Sequence, residues 1–304
     1  MENNKQIQLI SHGALFLANL IYALNYTIAK GVMPAYIDPL GFILLRVSGA
    51  CILFWILHAF FPKDKVAKKD FIKLFICGVF GVALNQMMFF KGLNLTTPIN
   101  AAVTMTSTPI LVIIMASIII KEKLNLKRIT GIALGAAGAI TLITQGEASI
   151  SETAINPTLG NTFIFINAAS YALYLIFVKP LMAKYEALTV IKWVFTFGLL
   201  IVLPFGLTEF TEVDWFHLPT KAILALSFVV ICTTFMAYLF NVFALKNLRA
   251  STVGFYIYLQ PLLATAVAIM SNSDQLDLIK ILASVLIFTG VFLVSGRKKS
   301  TASE

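Results

Sequence analysis

Charged side chains are scarce in this sequence. Asp, Glu, Lys and Arg make up 12% of its 304 residues, and 59% are hydrophobic, whereas soluble domains carry about 25% charged residues. A compact soluble protein of this composition could not cover its surface with polar groups, which excludes soluble, disordered and disulfide-stapled classes. Ten bilayer-crossing helices of about 20 residues would use roughly 200 residues. The composition therefore predicts an all-α polytopic membrane protein embedded in a lipid bilayer.

Cysteine and histidine are also few, and neither forms a recognisable site. The three cysteines, Cys51, Cys77 and Cys232, lie in apolar segments, where buried thiols behave as small hydrophobic groups. The three histidines are far apart and have no metal-ligand spacing, and no glycine-rich phosphate loop occurs. We therefore expect no metal, no cofactor, no catalytic residues and no intrinsic ATP drive, so an integral-membrane enzyme is the weaker alternative.

Acidic residues are missing from the apolar segments. All 14 Asp and Glu residues fall in loops, in termini or at the edges of apolar segments. Many proton-coupled carriers move protons through carboxylates buried in the membrane, and this sequence predicts no such relay. Facilitated movement, exchange and proton coupling through another group all stay open.

Ten apolar segments have the length of a membrane-crossing helix. They lie at about 11–30, 39–61, 71–90, 98–120, 128–145, 159–178, 187–207, 219–243, 251–271 and 277–295. The first segment has no small-residue cleavage site, and we interpret it as a retained span rather than a signal peptide.

Basic residues indicate the orientation of these spans. If the N-terminus is cytoplasmic, seventeen of the 23 Lys and Arg residues fall on the cytoplasmic side and four outside, while Arg46 and Lys192 lie within spans. The positive-inside rule favours this arrangement, with both termini in the cytoplasm. The net charge of +9 therefore reflects topology and not a nucleic-acid partner. Lys192 is near a span end, where we expect it to snorkel to the surface.

The two halves of the sequence resemble each other. At an offset of 152 residues Pro109 aligns with Pro261 and Gly138 with Gly290, and at an offset of 149 Tyr22 aligns with Tyr171. Five spans per half would give the halves opposite orientations. Inverted repeats of this kind place a solute site near the midplane and permit alternating access, so the sequence predicts two inverted five-helix repeats and secondary transport.

The segments GLNLTTPINAAVTMTSTP (92–109), KEKLNLKR (121–128), GIALGAAGAITL (131–142) and ALKNLRASTVGFYIYLQP (244–261) resemble EamA-type transporters of the drug/metabolite transporter (DMT) superfamily. The resemblance covers about residues 11–296. Its recurrent arginine in the second span lands on Arg46, and its glutamate after the fourth span lands on Glu122, where the second half has Asp274.

This resemblance implies a function and a domain layout. It implies that the protein transports small organic metabolites, such as amino acids, across a bacterial inner membrane, more often as export than as uptake. The alternative within the superfamily is a carrier of lipids or sugar nucleotides. The expected layout is a cytoplasmic N-terminus (1–10), a first repeat (11–145), an external linker (146–158), a second repeat (159–296) and a basic cytoplasmic tail (297–304).

Polar side chains within the spans are the candidate substrate-binding residues, since such groups tend to face a cavity or a neighbouring helix. The candidates are Asn19, Tyr22, Tyr26, Arg46, Gln86, Asn100, Thr104, Thr108, Asn167, Tyr171, Tyr174, Tyr238, Tyr256 and Gln260. The alternatives are that threonines bond their own helix backbone, that tyrosines anchor at the interface, and that Arg46 snorkels or forms a structural pair.

Prolines and glycines suggest mechanical roles. Pro109 and Pro261 each follow a polar stretch and are candidate hinges, because a proline removes a helical hydrogen bond and can kink the helix. Small residues let helices approach closely, so we expect four glycines to pack helices, within one chain or between two copies: Gly131, Gly135, Gly138 and Gly290. Monomer and homodimer both stay open.

Overall fold

The computed structural model describes residues 2–60, 64–119, 126–145, 154–247, 256, 259–272 and 278–295, and in these ranges the chain is helical and contains no strand. Thirteen α-helices are described there: α1 Glu2–Val32, α2 Pro39–Ala59, α3 Phe71–Gly78, α4 Leu84–Leu95, α5 Pro98–Met105, α6 Thr108–Ile119, α7 Leu126–Gln145, α8 Pro157–Met182, α9 Ala187–Thr211, α10 Thr220–Phe228, α11 Ala237–Asn247, α12 Leu259–Met270 and α13 Leu278–Ser295.

Among the described residues, seven helical stretches are long and apolar enough to cross a membrane. They are Gln6–Val32, Pro39–Ala59, Lys68–Leu95, Pro98–Ile119, Pro157–Met182, Ala187–Thr211 and Thr220–Ala244. Two shorter apolar helices, Ile129–Gly138 and Ile281–Gly290, lie within the predicted fifth and tenth spans. The all-helical membrane architecture is thus confirmed, whereas the count of ten stays a prediction because parts of its last spans lie outside the described residues.

Three spans begin with a proline in the first turn, where its missing N–H is not needed. Before Pro98 and Pro157, the side chains of Thr97 and Asn156 accept hydrogen bonds from the backbone of the first turn. The start of α2 is capped from a distance, because the Glu209 carboxylate of α9 accepts the N–H groups of Leu40 and Gly41 at 2.6 and 2.9 Å. A carboxylate at a helix N-terminus is electrostatically favourable, and this one ties α9 to α2.

Two π-helical segments interrupt apolar spans at related positions. Val79–Ala83 joins α3 to α4, and Val229–Met236 joins α10 to α11. Their first residues are 150 positions apart, close to the offset at which the two halves of the sequence align. π segments are rare and occur often at functional sites.

The span from α5 to α6 breaks at a turn formed by Thr106 and Ser107. Pro109 cannot donate the hydrogen bond that the Met105 carbonyl would receive in a continuous helix. The Thr108 hydroxyl donates to that carbonyl instead, at 2.7 Å. The proposed hinge at Pro109 therefore coincides with a real interruption of the helix, two residues before the proline.

Helices of the two halves pack against each other in matched pairs. Helix α1 contacts α11 and α12, while α8 contacts α4, α5 and α6. Helix α2 packs on α9, α5 on α12, and α7 on α13. The largest fully buried side chains at these contacts are aromatic, and Phe54 lies 5.0 Å from Phe195 between ring centres.

The α7–α13 contact is made through glycines. A Cβ on Gly290 would lie 2.5 Å from the Gly131 carbonyl oxygen and 2.6 Å from the Gly135 nitrogen, and one on Gly138 would lie 2.8 Å from the Ala283 carbonyl oxygen. Gly131, Gly135, Gly138 and Gly290 thus all lie at the contact between α7 and α13 of one chain.

Charged groups tie two loops together at the end of the spans expected to face the cytoplasm. The Asp70 carboxylate accepts hydrogen bonds from the Lys184 ammonium and the Tyr185 hydroxyl, and the Ala67 N–H donates to the same hydroxyl. The hydrogen bond that the Lys184 ammonium donates to Asp70 raises the pKa of Lys184.

Candidate functional site

Arg46 is the central feature of the site. It lies on α2 seven residues after the helix begins, roughly 10 Å along the helix axis, and its side chain is buried. Its Nε donates to the Thr234 hydroxyl at 3.0 Å, and its guanidinium carbon lies 4.4 Å from the centre of the Phe90 ring. Thr234 lies in the second π segment and uses its own hydroxyl hydrogen on the Val229 carbonyl, at 2.8 Å, so an oxygen lone pair faces Arg46.

Tyrosine hydroxyls and amides surround this guanidinium. Tyr22 of α1 and Tyr238 of α11 lie near Arg46. The Asn241 amide donates to the Tyr22 hydroxyl at 3.2 Å. Gln86 of α4 interacts with Tyr238, yet neither polar atom of its amide has a hydrogen bond of normal geometry among the described residues. The Gln86 amide therefore provides a hydrogen-bond donor and an acceptor near Arg46 that a ligand can engage.

Two more tyrosines extend this group from α8. Tyr171 and Tyr174 stack with ring centres 5.8 Å apart, and both belong to the same hydrophobic cluster as Tyr238. Gly81 in the first π segment makes room for Tyr174, because a Cβ there would come within 2.4 Å of the ring. We name the whole group the Arg46 cluster, and it comprises Tyr22, Arg46, Gln86, Tyr171, Tyr174, Thr234, Tyr238 and Asn241.

The Arg46 cluster carries one formal charge. Within the described ranges, the ion pairs join Asp70 to Lys73 and Lys184, and Asp214 to His217, all at the ends of helices. No described carboxylate lies within ion-pair distance of Arg46. A buried cation without a counter-ion is costly, and this one is held by a hydroxyl and an aromatic ring face.

Four other candidates meet at the contact between α1 and the region of α12. The Gln260 amide donates to Asn19 Oδ1 at 2.9 Å and accepts from the Tyr26 hydroxyl at 3.5 Å. The Tyr256 hydroxyl is 2.9 Å from His12 Nδ1. These contacts couple the first helix to the second half of the chain. They lie beside the Arg46 cluster, since Tyr26 packs on Phe89 with ring centres 5.4 Å apart and Phe89 packs on Phe90, whose ring faces Arg46.

The remaining candidates contact neighbouring helices or their own backbone. Asn100 donates to the Thr96 hydroxyl at 3.4 Å, and Thr108 bonds the backbone of its own helix. The Asn167 amide donates to the Asn85 carbonyl at 2.7 Å. Thr104 is buried, and its hydroxyl has no partner among the described residues.

The sequence interpretation of Lys192 is wrong. Its side chain is 6% exposed and does not snorkel. Its ammonium lies 3.3 Å from His58 Nδ1 and 4.2 Å from the centre of the Trp55 ring. The contact between α2 and α9 supplies polar and aromatic partners that the span edge alone does not reveal.

Two residues of the Arg46 cluster were not selected from the sequence, and three other positions of interest lie outside the described residues. Thr234 and Asn241 complete the Arg46 cluster. Both stand out in the sequence as polar residues within the apolar segment 219–243, but neither was selected among the candidate residues. Glu122, Asp274 and the side chain of Pro261 lie outside the described residues. In the part of the chain that is described, no three His, Cys, Asp or Glu residues come together as metal ligands.

Known proteins resemble this chain over nearly its whole length. Residues 9–144 and 158–296 match the EamA-like transporter family. An uncharacterized transporter of Archaeoglobus fulgidus is 24% identical over 95% of this chain and 98% of its own, and the WAT1-related protein At3g53210 of Arabidopsis thaliana is 25% identical over 90% and 79%. One solved crystal structure covers 96% of this chain and 97% of its own with a TM-score of 0.60 at 18% identity, which indicates a shared fold.

Proposed function

The chain belongs to the EamA-like transporter family of the DMT superfamily, and from this membership we propose that it moves small organic metabolites, amino acids or related compounds, by alternating access, with export as its normal direction. The family and the names of the relatives indicate a transporter and not an enzyme. The observation that carries the proposal is the Arg46 cluster, a buried polar site assembled from helices of both halves.

The matched packing supports two inverted five-helix repeats. If the first span corresponds to the sixth and the third to the eighth, a two-fold relation turns the α1–α11 contact into the α8–α4 contact. The same relation maps the contacts α2–α9, α5–α12 and α7–α13 onto themselves, and all of these contacts occur. The two π segments are likewise exchanged. A fold of this kind favours rocking of one half against the other about a central site.

The candidate residues take different roles in this proposal. Tyr22, Arg46, Gln86, Tyr171, Tyr174 and Tyr238 contact the solute directly. Asn19, Tyr26, Tyr256 and Gln260 form the contact that opens and closes between α1 and α12, with Pro109 and Pro261 as hinges. Asn100, Thr104, Thr108 and Asn167 shape the helices that border the site.

The proposed location is the bacterial inner membrane with both termini in the cytoplasm. The lysine-rich loops support this orientation, because the positive-inside rule places them in the cytoplasm. The repeats span 11–145 and 159–296, while most of the linker 146–158 and the tail 297–304 lie outside the described residues.

Transport by the purified full chain tests the proposal. Proteoliposomes preloaded with a bacterial metabolite extract are diluted into buffer, and the retained compounds are quantified by mass spectrometry. We expect selective loss of a small set of organic metabolites without ATP, and no such loss from protein-free vesicles. Equal retention of every compound in both preparations would contradict secondary transport.

A further inference from the structure

We propose that the transported solute is an organic monoanion, a small carboxylate without a charged ammonium group, whose carboxylate pairs with Arg46. This inference rests on the proposed function and narrows its substrate class. It excludes free amino acids as the preferred solutes. It favours related carboxylates that lack an ammonium group, such as N-acylated amino acids and oxo acids.

The charge balance of the site is the first argument. Arg46 is 5% exposed, and no described carboxylate is within ion-pair distance of it. The guanidinium is therefore already largely removed from water in this structure, which is unfavourable unless a negative group binds beside it. A monoanion neutralises the closed site, whereas a zwitterion leaves its positive charge unbalanced.

The hydrogen-bonding groups point to the same ligand. Arg46 uses Nε on Thr234, and the two remaining guanidinium nitrogens can grip the oxygens of a carboxylate. The hydroxyls of Tyr22 and Tyr238 lie within interaction range of the same guanidinium and can donate to an anion. The Gln86 side chain is 3% exposed and lies beside Tyr238, but neither polar atom of its amide makes a hydrogen bond of normal geometry among the described residues, so the amide is available to a ligand.

An ammonium group finds no comparable partner in the Arg46 cluster. The acceptors of the cluster are neutral phenol and amide oxygens, and they lie next to the Arg46 charge. Cation–π contact with Tyr171 or Tyr174 would be the remaining interaction, and it competes with repulsion from the guanidinium. The rings of Phe90, Tyr171 and Tyr174 instead suit an apolar group attached to the carboxylate.

A charge series of otherwise matched compounds tests the inference. N-acetylated, free and amidated forms of alanine, leucine and phenylalanine carry charges of −1, 0 and +1 near neutral pH. Binding to the purified full chain in detergent is measured by calorimetry, and uptake into proteoliposomes is measured for the acetylated and free forms. We expect the acetylated form of at least one side chain to bind about tenfold or more tightly than its free and amidated forms.

Arg46→Gln provides the decisive variant. Removing an unpaired buried charge leaves the fold intact, because no partner ion is orphaned, and the thermal transition should confirm this. We expect the preference for the anion to shrink to about threefold or less, with affinity for the acetylated compound falling at least about tenfold. Lys221→Gln removes an equal charge from an exposed position and should leave the preference unchanged.

The possible failures can be told apart. Tighter binding of free or amidated compounds, or an anion preference that survives Arg46→Gln, would overturn the inference while leaving the transporter proposal standing. Absence of binding by all nine compounds would also overturn the inference if the metabolite extract still shows selective loss. Absence of any transport from the extract would contradict the proposed function itself.

Discussion

Asn85 and Asn167 exchange hydrogen bonds between α4 and α8. The Asn167 amide donates to the Asn85 backbone carbonyl at 2.7 Å, and the Asn85 amide donates to the Asn167 carbonyl at 3.3 Å. Because each donor is a side chain and each acceptor is backbone, either bond can exist without the other. The pair joins the third span to the sixth, and so the first half of the chain to the second.

Removal of these amides should weaken the contact unequally. Asn167→Leu loses the shorter bond at nearly constant volume, and we expect it to lower the free energy of unfolding by about 1 kcal/mol, with a smaller loss for Asn85→Leu. Unfolding in detergent measures both. Thr130→Val is the control, because that exposed hydroxyl bonds the Leu126 carbonyl of its own helix. A larger loss for Asn85→Leu would show that the reciprocal geometry is misassigned.

The turn before Pro109 predicts that the stability cost of Thr108→Val depends on whether residue 109 is proline. Thr108→Val removes the hydroxyl that bonds the Met105 carbonyl and should cost about 1 kcal/mol of unfolding free energy. In a Pro109→Ala background residue 109 has an N–H for that carbonyl, so we expect Thr108→Val to cost less than about 0.5 kcal/mol there.

Transport measurements complete this double-mutant cycle. Pro109→Ala should stabilise a continuous helix and slow transport, since the interruption is proposed as a hinge. Equal costs of Thr108→Val in both backgrounds would show that Thr108 does not replace the hydrogen bond that proline lacks.

The sequence anticipates the helices better than the contacts between them. Apolar segments of fixed length report spans because lipid forces backbone groups to bond within helices. The same pattern carries no information on hydrogen-bond register, so neither π segment was predicted. Polarity in a span indicates that a side chain needs a partner but does not identify it: Tyr22, Arg46 and Tyr238 come together as a cluster, whereas Asn167 bonds a neighbouring helix.

Glycine substitutions test the α7–α13 contact. Gly290→Ala would place a methyl group 2.5 Å from the Gly131 carbonyl oxygen, and the helices must then separate. We expect a loss of about 2 kcal/mol or more in unfolding free energy, and a similar loss for Gly138→Ala. Gly13→Ala is the matched control, since a Cβ there meets no atom within 4 Å and alanine favours a helix. Equal stability of all three variants would mean that α7 and α13 do not pack closely.

Cysteines introduced one at a time in place of two exposed lysines test the topology. Lys68 and Lys221 both lie at the start of a candidate span, those beginning at Lys68 and at Thr220. Lysine-rich loops stay in the cytoplasm, so we expect Lys221→Cys to react with an impermeant maleimide in intact cells and Lys68→Cys to react only in inverted vesicles. The parent chain, in which Cys51 and Cys77 are buried and Cys232 is partly exposed, gives the background for labelling.

The same labelling counts the spans between the two positions. Four of the helical stretches that are long and apolar enough to cross a membrane lie between them, and these begin at Lys68, Pro98, Pro157 and Ala187. Four crossings would return the chain to its starting side. Opposite-side labelling therefore requires a fifth crossing, and α7 is the described helix available for it. Labelling of both cysteines from one side would remove α7 from the membrane, give the first half four spans, and contradict the inverted orientation on which alternating access depends.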